Sequence, residues 1–275
     1  MDICCPINQP YQTQGGKKMD KRLDHALILG SSSGFGAAAC RELAKNGLHI
    51  VGVHLRRRNE QAEVETEVTA CGMKFLSLGR VNAADADARA RAIETMQKAM
   101  EGSAFKIVLH SIAFGSTVPY IGEKAVSQKQ MDMTLDVMAN SLVYWAQDLL
   151  DNELIVAGSR VLVMTSSGSQ RVVQNYEPVS AAKAALESHV RQLALEMGQH
   201  GINVNAIRAG VTDTPALRRI PGYEELIQTA TVRNPRGRIT TTEDIARFLA
   251  LFNTSGMDWV NGTVLTVDGG EEIIG

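Results

Sequence analysis

The stretch from Ala26 to Ala44 constrains the fold most. Ala26-Leu27-Ile28-Leu29 is wholly apolar, the pattern of a short strand buried on both faces. Gly30-Ser31-Ser32-Ser33-Gly34-Phe35-Gly36 follows without a spacer. Ala37-Ala38-Ala39-Cys40-Arg41-Glu42-Leu43-Ala44 then has helical composition, with Gly47 beyond its end. Strand, glycine loop and helix in this order form the first part of a dinucleotide-binding unit. Glycine permits the tight turn and a close approach of backbone to cofactor. The first helical turn offers unpaired N–H donors and a positive dipole end to phosphate. The spacing is G-x3-G-x-G and not the commoner G-x-G-x-x-G. Alone, such a loop is weak evidence, since a structural turn has the same composition; its setting between strand and helix is what gives it weight.

Six more short strand-like runs follow: His49–Leu55, Lys74–Leu78, Phe105–Leu109, Arg160–Gly168 with hydroxyls at its end, Ile202–Ile207 and Thr263–Val267. Between them lie segments of helical composition, among them Glu60–Ala70, Asp85–Met100 and Met131–Leu150. Thr240-Thr241-Thr242-Glu243 reads as a capping box for a helix to Phe252. Successive parallel strands need crossover helices, so the alternation predicts an α/β fold: one doubly wound, Rossmann-type domain with a seven-stranded parallel sheet. With 24 glycines and only 5% aromatic residues, the composition suits Ala-rich helices on such a sheet better than a β-sandwich. The domain is expected to span 23–275, with 1–22 a flexible extension. From Pro215 to Pro235 periodicity is lost and three prolines occur, which suits a mobile segment covering a substrate.

A formal charge of −2 supplies no field for nucleic acid or an anionic membrane surface. No apolar run approaches the length of a membrane span. Cys4, Cys5, Cys40 and Cys71 lack metal-ligand spacing and read as reduced thiols of a cytoplasmic protein, with no metal expected.

Several residues carry candidate chemistry. In dinucleotide folds an acidic side chain about twenty residues after the glycine loop binds the ribose 2′-hydroxyl, and arginine accommodates a 2′-phosphate instead. Arg56-Arg57-Arg58 stands there, and no carboxylate occurs before Glu60. This favours NADPH over NADH, against the plainer reading of a solvated basic run before a helix. Tyr176 and Lys183 open an Ala-rich helix. Pro178 is tolerated only in its first turn, so the tyrosine is expected just before the helix and the lysine about two turns inside it. In an arbitrary chain both would be ordinary surface residues. His110 ends one strand and reads more readily as a hydrogen-bonded structural histidine than as a base. Ser166 ends another, where a serine is often a satisfied turn residue.

Over residues 24–273 the sequence resembles the short-chain dehydrogenase/reductase family. Gly30-x3-Gly34-x-Gly36 looks like its cofactor loop, with Leu29 in place of the usual threonine, and Asp268-Gly269-Gly270 resembles its C-terminal signature. Arg80-Val81 replaces the Asp-Val or Asn-Val pair that borders the adenine. Most members carry tyrosine four positions before the active lysine, but here that place is Val179. The common asparagine is replaced by Met138. Both departures match the enoyl-acyl carrier protein reductase branch, whose tyrosine and lysine are separated by six residues, as Tyr176 and Lys183 are. His110-Ser111-Ile112-Ala113-Phe114 resembles that branch's fourth-strand motif, and Asn175–Leu217 looks most like its NADPH-using subgroup.

The resemblance implies a cofactor site of Gly30, Ser32, Ser33, Gly34, Phe35, Gly36, Arg56, Arg57, Arg80, Val81, Ser111, Ile112 and Ala113. Gly210, Val211 and Thr214 resemble the segment that fixes the nicotinamide carboxamide. It further implies reduction of trans-2-enoyl thioesters, carried by acyl carrier protein or coenzyme A, in fatty-acid elongation. Tyr176 would hydrogen-bond the thioester oxygen as charge develops. Lys183 would hold the nicotinamide ribose and ease polarisation of Tyr176, and Ser166 would bond substrate or tyrosine. A homotetramer is implied as well. The alternatives are a carbonyl, hydroxysteroid or 3-ketoacyl reductase using Tyr176 in an unusual register, and a non-catalytic NADPH-binding sensor.

Overall fold

A computed structural model describes residues 21–55 and 58–274. In chain order the main elements are β1 (Arg22–Leu29), α1 (Gly34–Lys45), β2 (His49–His54), α2 (Arg58–Ala70), β3 (Phe75–Arg80), α3 (Ala86–Ala99) and β4 (Ser103–His110). Then come α4 (Gln128–Leu135), α5 (Ser141–Asp151), β5 (Arg160–Ser166), α6 (Glu177–Gly198), β6 (Asn203–Ala209), α7 (Tyr223–Arg233), α8 (Thr242–Ala250) and β7 (Val264–Val267). The strands form one parallel sheet in the order β3-β2-β1-β4-β5-β6-β7. The chain runs outward from β1 to β3, then returns to the other side of β1 with β4. Ligands of open α/β sheets bind at such a reversal, beyond the carboxyl ends of the strands.

Period-two alternation along β1 feeds two cores. Leu27 and Leu29 join the cluster under α3, α5 and α6, which includes Ile93, Trp145, Leu186 and Val190. Ala26 and Ile28 face the opposite cluster, where Leu43 of α1, Val68 of α2 and Leu249 of α8 pack. Each fully buried Leu, Ile or Val contributes about 1.5–3 kcal/mol of transfer free energy, so both faces matter to stability.

The register aligns the strand ends. Leu29 pairs with Val53 on one side and His110 on the other, and His110 pairs with Val163. β5 runs on past that point through Met164, Thr165 and Ser166, paired only with β6, up to Ser166 opposite Ala209. Its last carbonyls therefore face a gap that β4 has left.

Four expectations need correction. β1 begins at Arg22, inside the presumed extension, because Arg22 and Leu23 extend the pairing with β4 across an irregular register; the rest of that extension, up to Asp20, lies outside the described residues. The single helix expected over Met131–Leu150 is α4 and α5 joined by a π-type turn, Asp136–Asn140. One inserted residue leaves the apolar pattern almost unchanged, so periodicity does not show it. The 215–235 segment is not irregular throughout, since it contains α7. That helix buries only Ala230, so no apolar stripe marks it in the sequence. The capping box of α8 lies one residue later than expected, on Thr241 and Asp244.

The contacts that set the crevice involve glycines. A Cβ on Gly36 would lie 2.1 Å from the Gly30 carbonyl oxygen, and one on Gly30, at φ +101°, 2.4 Å from that of Ser111. Gly36→Ala is therefore expected to cost at least about 2 kcal/mol in urea unfolding, because backbone cannot yield as a side chain does. Gly47→Ala is the control. Its φ of +84° meets nothing within 4 Å, so only local strain of about 1 kcal/mol is expected.

Candidate active site

Tyr176 is the N-cap of α6, with Pro178 in the first turn, where the proline rule places it. The preceding Asn175 takes a left-handed φ of +59°, a conformation asparagine tolerates, and this turns the chain into the helix. The ring then lies against Gly168. A Cβ there would come within 2.5 Å of Tyr176 Cε1, so only glycine leaves the ring its place. The phenol oxygen is 3.1 Å from Ser166 Oγ, at the end of β5. Burial raises the Tyr176 pKa, and the Ser166 hydrogen bond opposes that shift. The phenol is thus a protonated donor at neutral pH.

The floor beneath it is apolar. Met138, Val179 and Ala182 form a small buried cluster with Leu135 and Tyr176 against it. The two positions that depart from the wider family's polar residues therefore meet in one dry patch. Gly115 closes it, since a Cβ there would lie 2.9 Å from both Met138 Sδ and Val179 Cγ2.

Lys183 is 5% exposed. Its ammonium donates to the Met164 carbonyl at 2.7 Å, in the gap left by β4, and to the Ile112 carbonyl at 3.5 Å. Burial lowers its pKa to about 8, with the Glu187 carboxylate acting in the other direction. The expectation that Lys183 polarises Tyr176 finds no support: its bonds go to backbone, and the shift of the phenol comes from burial and Ser166. His110 is fully buried, its Nε2 2.9 Å from Ser141 Oγ, and its pKa is pushed down to about 3 by burial and then by Lys183. A neutral, enclosed imidazole of this kind is structural and not a base.

The described residues of the presumed cofactor set lie at or after the ends of β1, β3, β4 and β6, toward the same rim. Gly30, Ser32, Ser33, Gly34, Phe35 and Gly36 form the β1–α1 turn and the first residues of α1. A Cβ on Gly34, at φ +55°, would lie 3.6 Å from the methyl of Thr214, so the loops after β1 and β6 meet. Ser111 donates its N–H to Leu29 O at 2.8 Å, ahead of Ile112 and the exposed Ala113. Val81 is buried, its N–H on the His54 carbonyl, while Arg80 Nε donates to the Leu55 carbonyl at 3.2 Å. Arg56 and Arg57 lie outside the described residues. Gly210 is enclosed by Thr240, Glu271 and Asp268, and the Val211 N–H donates to Glu271 Oε2 at 3.0 Å. That amide is therefore engaged within the protein. Tight backbone at Gly30, ahead of α1, and at Gly36, in its first turn, placed at the sheet's reversal, fits a dinucleotide.

Sequence reasoning missed Gly168, Glu187 and Tyr120. The Tyr120 hydroxyl donates to the Glu177 carbonyl at 2.7 Å, tying the loop after β4 to the cap of α6. A lone tyrosine in a loop gives no such signal. Among the described residues no cluster of His, Cys, Asp and Glu could hold a metal ion. No described helix is long and apolar enough to cross a membrane.

A family profile described as enoyl-(acyl carrier protein) reductase matches residues 30–272. The chain belongs to the enoyl-acyl carrier protein reductase family. Among its curated relatives, the NADH enoyl-acyl-carrier-protein reductase FabI of Aquifex aeolicus is 34% identical over 66% of this chain and 68% of that one. The corresponding reductase of Buchnera aphidicola is 33% identical over 60% and 64%. The 1-cyclohexenylcarbonyl-CoA reductase of Streptomyces collinus is 27% identical over 98% and 92%. The Bacillus cereus enoyl-acyl carrier protein reductase, solved with NADP+ and indole naphthyridinone, superposes with a TM-score of 0.83 at 25% identity, covering 92% of this chain and 98% of that one. The protein is accordingly an oxidoreductase with a Rossmann-type nicotinamide-nucleotide fold.

In this reductase, Gly168→Ala is expected to displace the Tyr176 ring and lower kcat about a hundredfold, since misplacement by about 1 Å has that effect. Nucleotide affinity, read by fluorescence titration, should stay near wild type. An unchanged kcat would show that the ring position is not set by Gly168.

Proposed function

We propose that the protein reduces the 2,3 double bond of trans-2-enoyl thioesters, carried by acyl carrier protein or coenzyme A, with NADPH as reductant. The observation that carries this reading is a protonated, partly buried Tyr176 hydroxyl held by Ser166 above an apolar floor, at the mouth of the dinucleotide crevice. A bound reduced nicotinamide supplies a hydride to the β-carbon. Tyr176 donates a hydrogen bond to the thioester oxygen, where negative charge collects as the enolate forms, as a preorganised donor does best; the α-carbon then takes a proton from solvent to give the saturated thioester. Ser166 keeps the phenol oriented. Lys183, anchored by Met164, presents its charge toward the nicotinamide ribose hydroxyls. The loops after β4 and β6 flank the site, and residues 215–235, with α7, cover the acyl chain.

The Streptomyces relative's named substrate also carries a double bond beside a CoA thioester. For the cofactor, the FabI relatives are named for NADH, whereas Arg56 and Arg57 follow β2 where a 2′-phosphate would arrive, with no carboxylate to repel it. The Bacillus cereus structure contains NADP+. A cytoplasmic homotetramer is the assembly in keeping with this reading.

Purified protein with NADPH should oxidise it in the presence of crotonyl-CoA. Oxidation with acetoacetyl-CoA alone would instead indicate a carbonyl reductase, and tight binding without oxidation a sensor. Tyr176→Phe is expected to reduce turnover by at least about a hundredfold, with NADPH affinity little altered; wild-type turnover would remove the role of Tyr176. Arg56→Ala should raise KM for NADPH far more than for NADH, and an equal effect would remove the 2′-phosphate argument. Because Lys183 acts as a cation, kcat/KM should fall on the alkaline side as pH passes about 8.

A further inference from the structure

Lys183 has a buried neighbour that the reaction as described does not use. Glu187 lies one turn further along α6, on the same face, and it too is 5% exposed. Its Oε1 accepts hydrogen bonds at 2.7 Å from Thr165 Oγ1 and at 2.7 Å from Ser169 Oγ. These residues bracket Ser166: one precedes it on β5 and the other closes the turn that follows. Ser169 has one hydroxyl proton and a second acceptor, the Ser166 carbonyl at 2.9 Å. The ionised carboxylate is the stronger acceptor. Arg208 Nη2 completes the shell, 3.2 Å from Oε1 and 3.3 Å from Oε2. Its Nη1 reaches Gln170 Oε1 at 3.1 Å and Glu272 Oε2 at 3.5 Å.

A buried ion pair is weak support for a fold, because desolvation cancels much of the attraction and apolar residues of equal volume often serve as well. This pair is instead aimed at the turn that carries Ser166. We propose that Glu187, held by Arg208, is a positioning residue for the reaction: through Thr165 and Ser169 it fixes Ser166 against Tyr176, and its charge supports that of Lys183. This rests on the reductase reading of the site.

The elements packed around Lys183 supply few other titratable or charged groups. From α6 come Glu187 and the protonated Tyr176. From β4 comes His110, kept neutral with a pKa of about 3, together with the Ile112 carbonyl just beyond the strand. β5 offers the Met164 carbonyl, and β6 offers Arg208, whose charge is met by Glu187 and Glu272. Glu187 is the group that opposes the lowering of Lys183 by burial.

Glu187→Gln keeps the size and one carbonyl acceptor while removing the charge. In crotonyl-CoA reduction its alkaline limb of kcat/KM is expected about one pH unit lower than in the wild type. Glu187→Gln combined with Arg208→Gln avoids leaving the Arg208 guanidinium without Glu187 and should show a displaced limb as well. A limb that stays in place in a folded variant overturns the proposal, whether kcat is unchanged or scaled evenly at every pH. If neither variant folds, Glu187 is a structural residue and the proposal also falls. NADPH affinity against pH, followed by nucleotide fluorescence, reads the charge of Lys183 without substrate. Wild-type protein that binds NADPH but leaves crotonyl-CoA untouched removes the reductase reading; the pH dependence of affinity in the variants then decides the role of Glu187.

Discussion

Gly36 backs onto the carbonyl of Gly30, and Gly30 lies against the carbonyl of Ser111, with no side chain between the three backbones. This contact brings the start of α1 and the exit of β4 to one point beside β1. The crevice owes its shape to it, because any Cβ would push the helix away from the strand ends. The parallel register then carries the other strand ends to the same rim. β5 overshoots β4 there, and the open carbonyl of Met164 becomes the anchor for Lys183.

Tyr176 and Lys183 differ in their environments. Partial burial raises the pKa of the Tyr176 phenol further above neutral, with Ser166 as its hydrogen-bonding neighbour and the Met138–Val179 patch beneath. Lys183 keeps its charge through backbone carbonyls and a carboxylate on its own helix. Phenol and ammonium are thus held by separate contacts, with Ser166 and Met164, neighbours along β5, as their respective partners. Disturbance of the end of β5 reaches both.

The sequence carried most of the architecture because buried parallel strands are short apolar runs and glycine loops are local. The same locality let Pro178 place Tyr176 outside the helix and Lys183 within it. Features that depend on one extra residue or on distant partners were not legible. The π-type turn at Asp136–Asn140 barely changes the apolar pattern, and α7 has almost no buried face to advertise itself. Glu187 looks like any charged helix residue until β5 and β6 close over it. That Met138 and Val179 touch is not legible from positions 41 residues apart, although each singly lacks the usual polar group.

The burial of Lys183 has a thermodynamic side. In the unfolded chain this ammonium titrates at its ordinary value of 10.5, and in the fold at about 8. Below pH 8 both states are protonated, and the folded state bears the full penalty of enclosing the charge. Between about 8 and 10.5 the unfolded state binds the extra proton, so this group's contribution makes the fold more stable as pH rises. The interval in which the site loses its cation is therefore the one in which the lysine ceases to weigh against folding, and function and stability draw on the same residue with opposite sign.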